Sequence, residues 1–139
     1  NLEITETASI SARTILLENM KTLINYGFTF SLDDFGKGES NLMYIVEMPV
    51  SIVKLDYDML KAFFRSPKAK TVVQAVVNMA HNMNLKMVAE GIETEEEIQG
   101  MSKENIDYIQ GYYYSCPVPQ NDFLEFLRNN QPVLSSSAE

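Results

Sequence analysis

An α/β fold of about five parallel β/α units, in the form of an incomplete TIM-type (β/α) barrel, is what this sequence predicts, and three observations predict it. Strand-like apolar runs and helix-patterned segments alternate five times along the 139 residues, the order expected of parallel strands joined by right-handed crossovers. Each candidate strand ends in ionisable or amide side chains, which is where a β/α barrel gathers its chemistry. No glycine-rich phosphate fingerprint follows the first strand, so an open doubly wound sheet of the Rossmann kind fits poorly.

The elements follow in order. The segment "LEIT" opens the chain as a strand, and "SARTILLENMKTLINYG" has helical spacing, with Ile15, Leu16, Met20, Leu23 and Ile24 as an apolar stripe and Gly27 as terminator. The strand "FTFSLDD" leads through a loop with Gly36 and Gly38 into a short helix, "NLMYIVEM", stopped by Pro49; "SIVKLD" is the next strand. In "SPKAKTVVQAVVNMAHNMN", Ser66 caps the helix and Pro67 takes its first position. Strand "LKMVAEGI" is followed by Thr94 capping "EEEIQGMSKEN", whose early glutamates suit the positive helix start. The last pair is strand "IDYIQGYYYS" and helix "QNDFLEFLRNN".

With 45% apolar residues the chain can bury one core. Residues 1–131 read as a single unit, and 132–139, serine-rich after Pro132, as a flexible tail. The net charge of −8 argues against a DNA or RNA polymer as partner, since a phosphate ligand would need a local site or a bound cation. Cys116 stands alone, and neither a leader-like nor a long apolar segment occurs. These features place the chain in the reducing cytoplasm, with any membrane anchor lying outside these residues.

The strand-end residues are Glu3 and Glu6, Asp33 and Asp34, Lys54 and Asp56, Glu90 and Glu93, and Gln110. Alternation along a strand puts Ser31 with Asp33, Ile52 with Lys54 and Asp56, Val88 with Glu90, and Tyr108 with Gln110 on one face. The other face carries Phe30, Leu32, Val53, Leu55, Met87, Ala89 and Ile109, the surface that helices cover. Carboxylates gathered on one rim repel and are driven neutral unless a hard cation sits among them, and Mg²⁺ or Mn²⁺ suits such oxygen ligands.

Simpler roles compete for each residue taken alone. The Asp33–Asp34 pair could start a turn, and Lys54 could be a structural ion-pair partner of Asp33 or Asp56. His81 reads as a surface or packing imidazole, the run Tyr112–Tyr114 as strand aromatics in the core, and Glu95–Glu97 as helix-start charges. Only the repetition at strand ends favours a metal site.

The segments "LEITE", "SLDDFGKGESNL", "VKLD", "VAEGIET" and "DYIQGYYYSCPVP" occur in this order. Together they resemble the second half of an EAL domain, the bacterial phosphodiesterase of cyclic di-GMP, up to about residue 127. The resemblance implies a (β/α) barrel with one antiparallel strand in its other half and Mg²⁺ or Mn²⁺, two ions in the complete domain, at the strand ends. It implies that an activated water opens one phosphodiester bond of cyclic di-GMP to give linear pGpG. Position by position, Glu3, Asp33, Asp34 and Glu90 correspond to metal ligands, and Glu6 to the residue holding the loop after the Asp pair. Lys54 corresponds to the lysine beside the attacking water, Glu90 also to a member of that water network, and Gln110 to a glutamine near them.

Two departures stand out. No Glu-Ala-Leu signature precedes Glu3, nor do the metal-binding Asn and substrate-clamping Arg of the family, whereas a full barrel takes about 250 residues. The chain is therefore expected to be part of a larger protein with further domains, or to be completed by a partner. Alone it is expected to hydrolyse little or nothing, and homodimers or association through open sheet edges are expected. The loop "DFGKGESNL" carries Lys37, Glu39 and Asn41 where active members have Thr or Ala and then Tyr or Ser and Ser, which leaves room for a module that binds cyclic di-GMP or a protein without cleaving it. An unrelated Mg²⁺ barrel of the enolase kind is a third, remoter reading.

Overall fold

In the computed structural model, residues 1–5, 13–37 and 42–130 are described. They form five strands and six helices: β1 (Leu2–Thr5), α1 (Arg13–Asn25), β2 (Phe30–Phe35), α2 (Met43–Glu47), β3 (Ile52–Leu55), α3 (Tyr57–Arg65), α4 (Pro67–Asn82), β4 (Lys86–Ala89), α5 (Glu95–Ser102), β5 (Tyr108–Ile109) and α6 (Gln120–Asn129). The strands make one parallel sheet in the order β1-β2-β3-β4-β5, so neighbours in sequence are neighbours in space. That order, with a helix in every crossover, is a section of a TIM-type barrel.

The core lies on one side of the sheet. Phe30, Leu32, Val53, Leu55, Met87 and Ala89 are buried there, against Met20 of α1, Leu60 and Phe63 of α3, Val73, Val77 and Ala80 of α4, and Met101 of α5. Each large apolar side chain so buried contributes about 1.5–3 kcal/mol relative to exposure. This packing fixes strand register, because a slip by one residue would turn the apolar set toward the acidic face.

Helix boundaries follow local chemistry. Asp56 caps α3 by accepting the Asp58 N–H at 2.9 Å. Ser66 ends α3 through its own N–H to the Ala62 carbonyl and starts α4 as its N-cap, with Pro67 where no N–H partner is needed. Thr94 and Glu97 form a reciprocal capping box at α5.

Four expectations need correction. In α1, Ile15 is 62% exposed and Ile24 also faces outward; Leu16, Leu17, Met20 and Leu23 pack inward, because the buried stripe runs one position away from Ile15. Helix α3 was not expected, although Asp56 as cap and Leu60 and Phe63 three apart signal it. The strand at "IDYIQGYYYS" shrinks to Tyr108–Ile109. Tyr112–Tyr114 are exposed in a turn rather than in the core, since Gly111 brings the chain against Ile92, where any β-carbon would sit 2.0 Å from the Ile92 carbonyl oxygen. Helix α6 buries none of its residues, and Phe123, Leu124, Phe126 and Leu127 are exposed. No described helix is long and apolar enough to cross a membrane. Glu6, Glu39, Asn41 and the 132–139 tail lie outside the described residues.

Candidate active site at the strand ends

The parallel register carries the face pattern across the sheet. Glu3 pairs with Ser31, Thr5 with Asp33, Ser31 with Ile52, Lys54 with Val88, and Val88 with Tyr108. Residues level with one another point the same way, so Glu3, Asp33 and Lys54 share the face opposite the core, and the alternation continues to Glu90 and Gln110 at the ends of β4 and β5.

The adjacent aspartates are accommodated by a bulge. Between the Leu32–Val53 and Phe35–Leu55 pairs, β2 has one more residue than β3. Asp34 takes the left-handed conformation (φ 56), which returns Phe35 to the core side while leaving Asp33 on the polar side. The Asp34 N–H donates to Asp33 Oδ1 at 3.0 Å. Two neighbouring carboxylates thus leave the sheet in different directions.

Lys54 is the centre of the rim. Only 5% exposed, its Nζ lies 2.7 Å from Glu3 Oε1, 2.8 Å from Glu90 Oε1 and 3.2 Å from Asp33 Oδ1. Burial alone would disfavour its charge, but the hydrogen bonds to Glu3 and Glu90 outweigh that and hold the ammonium well above the usual lysine range. Burial pushes Asp33 up, yet the Lys54 bond and charge and the Asp34 N–H overcome it, and the carboxyl ends below its ordinary value. Glu90 goes the other way: burial and the nearby Asp33 raise it, and Lys54 only partly offsets them. One lysine cannot neutralise three acids, and Glu90 bears the deficit.

A second lysine supports the segment that carries Glu90. Lys61 of α3 bonds to Glu97 Oε1 and lies 3.7 Å from Glu93 Oε2 and 4.9 Å above the Tyr57 ring. The other oxygen of Glu97 accepts the N–H of Glu93 at 2.8 Å and of Thr94 at 3.3 Å. Gly91 (φ 70) packs so closely on Tyr57 that a β-carbon would come within 2.3 Å of the ring. Glu97, read from the sequence as a helix-start charge, therefore also ties down the 91–94 turn; its spacing from Thr94 was the available signal.

The structure brings together Glu3, Asp33, Lys54 and Glu90. Asp34 faces Lys37 instead. Gln110 lies outside the ion-pair network but, with Asp34, Glu90 and Tyr57, lines an open cleft of about 410 Å³ beside it. Asp56, weighed as a partner for Lys54, caps α3 instead. Among the described residues no three acids, imidazoles or thiols stand in common reach of one ion, because the carboxylates turn onto Lys54. The donor set nonetheless fits a hard divalent cation: it is all oxygen, and Glu3, Asp33, Asp34 and Glu90 outnumber Lys54 and Lys37.

The family model described as EAL domain matches residues 1–117. The cyclic di-GMP phosphodiesterase RocR of Pseudomonas aeruginosa is 35% identical over 124 residues, covering 89% of this chain and 32% of RocR. The EAL domain of Mycobacterium smegmatis DcpA superposes with a TM-score of 0.84 at 29% identity, over 92% of this chain and 57% of that one. Klebsiella pneumoniae BlrP1, solved as a manganese and cyclic di-GMP complex, gives a TM-score of 0.75 at 30% identity, over 83% of this chain and 29% of its own. The chain spans less than two thirds of each of these proteins. Sequence and superposition agree along nearly the whole length, and the chain belongs to the EAL domain family.

Proposed function

We propose that residues 1–131 form the C-terminal portion of a phosphodiesterase domain that hydrolyses cyclic di-GMP to linear pGpG. The observation that carries this reading is the convergence of Glu3, Asp33 and Glu90 on Lys54 at one end of the sheet. Glu3, Asp33, Asp34 and Glu90 would hold the cations, Mg²⁺ or Mn²⁺, with Glu6 supporting the loop after the Asp pair. When bound, such ions neutralise phosphate charge and acidify water. Lys54, held as an ammonium by its carboxylate partners, places a fixed positive charge where a phosphodiester gains negative charge on being attacked. Glu90, 2.8 Å from Lys54 Nζ at the same rim, belongs with it to the network around the water that attacks. Gln110 lines the cleft and orients that water or the phosphate by hydrogen bonding. BlrP1, a relative, is recorded with manganese and cyclic di-GMP, which supports the choice of ligands.

The 139-residue piece alone is expected to turn over little substrate, and other domains, or a second copy at the sheet edges, to complete it in the cytoplasm. A second reading, a module that binds cyclic di-GMP or a protein without cleaving it, draws on Lys37 at the Asp34 carboxylate. Conversion of cyclic di-GMP to pGpG by the protein that carries this chain, in Mg²⁺ and in Mn²⁺, separates the two. Turnover lost in Asp33→Asn supports the hydrolase; tight nucleotide binding without turnover in the parent supports the binding module.

A further inference from the structure

The turn after β2 carries a cation that the proposed reaction does not call for. Lys37 Nζ lies 3.3 Å from Asp34 Oδ1 and 3.4 Å from Oδ2, facing both oxygens of the carboxylate. The Lys37 N–H also donates to the Asp34 carbonyl at 3.1 Å, so main chain and side chain both fold the lysine back on the aspartate. Two left-handed residues, Asp34 (φ 56) and Gly36 (φ 101), set this turn. Beneath it the Met59 side chain fills the space a β-carbon at Gly36 would enter, 2.6 Å from the methionine methyl. Among the described residues lining the rim cleft, Lys37 is the one cation, opposite Asp34, Asp56, Glu90 and Glu93.

An ammonium seated against both oxygens of a carboxylate occupies the face a divalent cation would take bidentately and opposes the ion by its charge. We propose that Lys37 is a tethered counter-ion of Asp34 that a divalent cation must displace, so that this residue sets the cation concentration at which the rim fills. The inference rests on the function proposed above, in which Asp34 is a ligand. The Lys37 side chain is 61% exposed and has room to swing into solvent, so displacement weakens cation binding without preventing it. Exposed pairs of this kind are worth a factor of about two to five in an equilibrium constant.

The test is Mn²⁺ binding to the protein that carries this chain, followed through loss of the free-ion electron paramagnetic resonance signal. Lys37→Met and Lys37→Thr are expected to tighten the apparent Kd about two- to fivefold, and Lys37→Arg, which keeps the charge, to leave it near the parent value. Unchanged or weaker affinity in both neutral variants, with Mn²⁺ binding intact in the parent and lost in Asp33→Asn, overturns the inference and leaves the functional reading standing. A parent that binds no Mn²⁺ overturns both. Far-ultraviolet circular dichroism of each variant, expected to match the parent because Lys37 is exposed, separates an effect on affinity from one on folding.

Discussion

The two ends of the sheet solve opposite electrostatic problems. At the C-terminal end, one buried ammonium, Lys54, is shared by three carboxylates. At the N-terminal end, one carboxylate, Asp107, is shared by three donors: Lys86 Nζ at 2.7 Å, His81 Nε2 at 2.8 Å and the Met87 N–H at 2.9 Å. Burial raises Asp107, but the Lys86 bond, the Met87 amide and His81 together pull it down to about 2. Glu90 at the other end is raised. The same residue types thus give a satisfied cluster that ties α4, β4 and the start of β5 together, and an over-charged cluster in which three carboxylates share one ammonium. Perturbed acids alone do not mark a functional site.

The change that would most sharply break the comparison is Lys54→Met. Loss of a fixed positive charge at the reacting phosphate is expected to lower turnover of cyclic di-GMP by about a hundred- to a thousandfold in the complete protein. Without its ammonium, the group of Glu3, Asp33 and Glu90 should also cost roughly 1–3 kcal/mol of stability in the absence of cations. Part of that loss should return on adding Mg²⁺, as read by urea unfolding. A variant that keeps full turnover would remove the C-terminal rim from the reaction.

Next in size is Asp107→Asn. It is expected to cost about 1–2 kcal/mol of stability while leaving turnover within about twofold, since the residue lies at the opposite end of the sheet. The pH dependence follows from the sign of the shift. A carboxyl lower in the folded than in the unfolded chain stabilises the fold above its unfolded value near 3.8, and that stability is lost as pH falls toward about 2. The difference in unfolding free energy between parent and Asp107→Asn should therefore be flat above about pH 5 and shrink steadily below pH 4. A difference that stays constant down to pH 2 would mean that Asp107 acts through shape rather than charge.

How much of each cluster was legible in the sequence reflects how local its cause is. The sheet and the common face of Asp33, Lys54 and Glu90 could be read because strand alternation is a two-residue rule, and a parallel sheet in sequential order copies it from strand to strand; Glu3 was legible as a strand-end acid, and its place beside Lys54 comes from the fold. The oddity of Asp33 beside Asp34 was visible, but the bulge that resolves it was not, since it depends on how Phe35 pairs with Leu55. Asp107 carries no local signal: its partner His81 is 26 residues away and Lys86 is 21, and only the docking of α4 on β4 brings them together. Helix α3 went unread because its nine residues follow a strand with no glycine or proline between. Glu97 shows the middle case, with a cap legible from its spacing to Thr94 and a hold on the 91–94 turn that only the fold supplies.

The smallest effect tests whether the N-terminal cluster is truly satisfied. Lys86 is the most exposed member, with more than half of its side chain open to water, and burial works little against its charge while Asp107 raises its affinity for a proton. A solvent-screened partner of this kind contributes little, and His81 and the Met87 amide remain to hold the carboxylate when it is gone. Lys86→Met should therefore lower stability by less than half as much as Asp107→Asn, and the loss should diminish in 1 M salt, where the screening length falls to about 3 Å. A cost equal to that of Asp107→Asn and insensitive to salt would show that the cluster hangs on a single pair, as the C-terminal rim hangs on Lys54, and the contrast between the two ends would disappear.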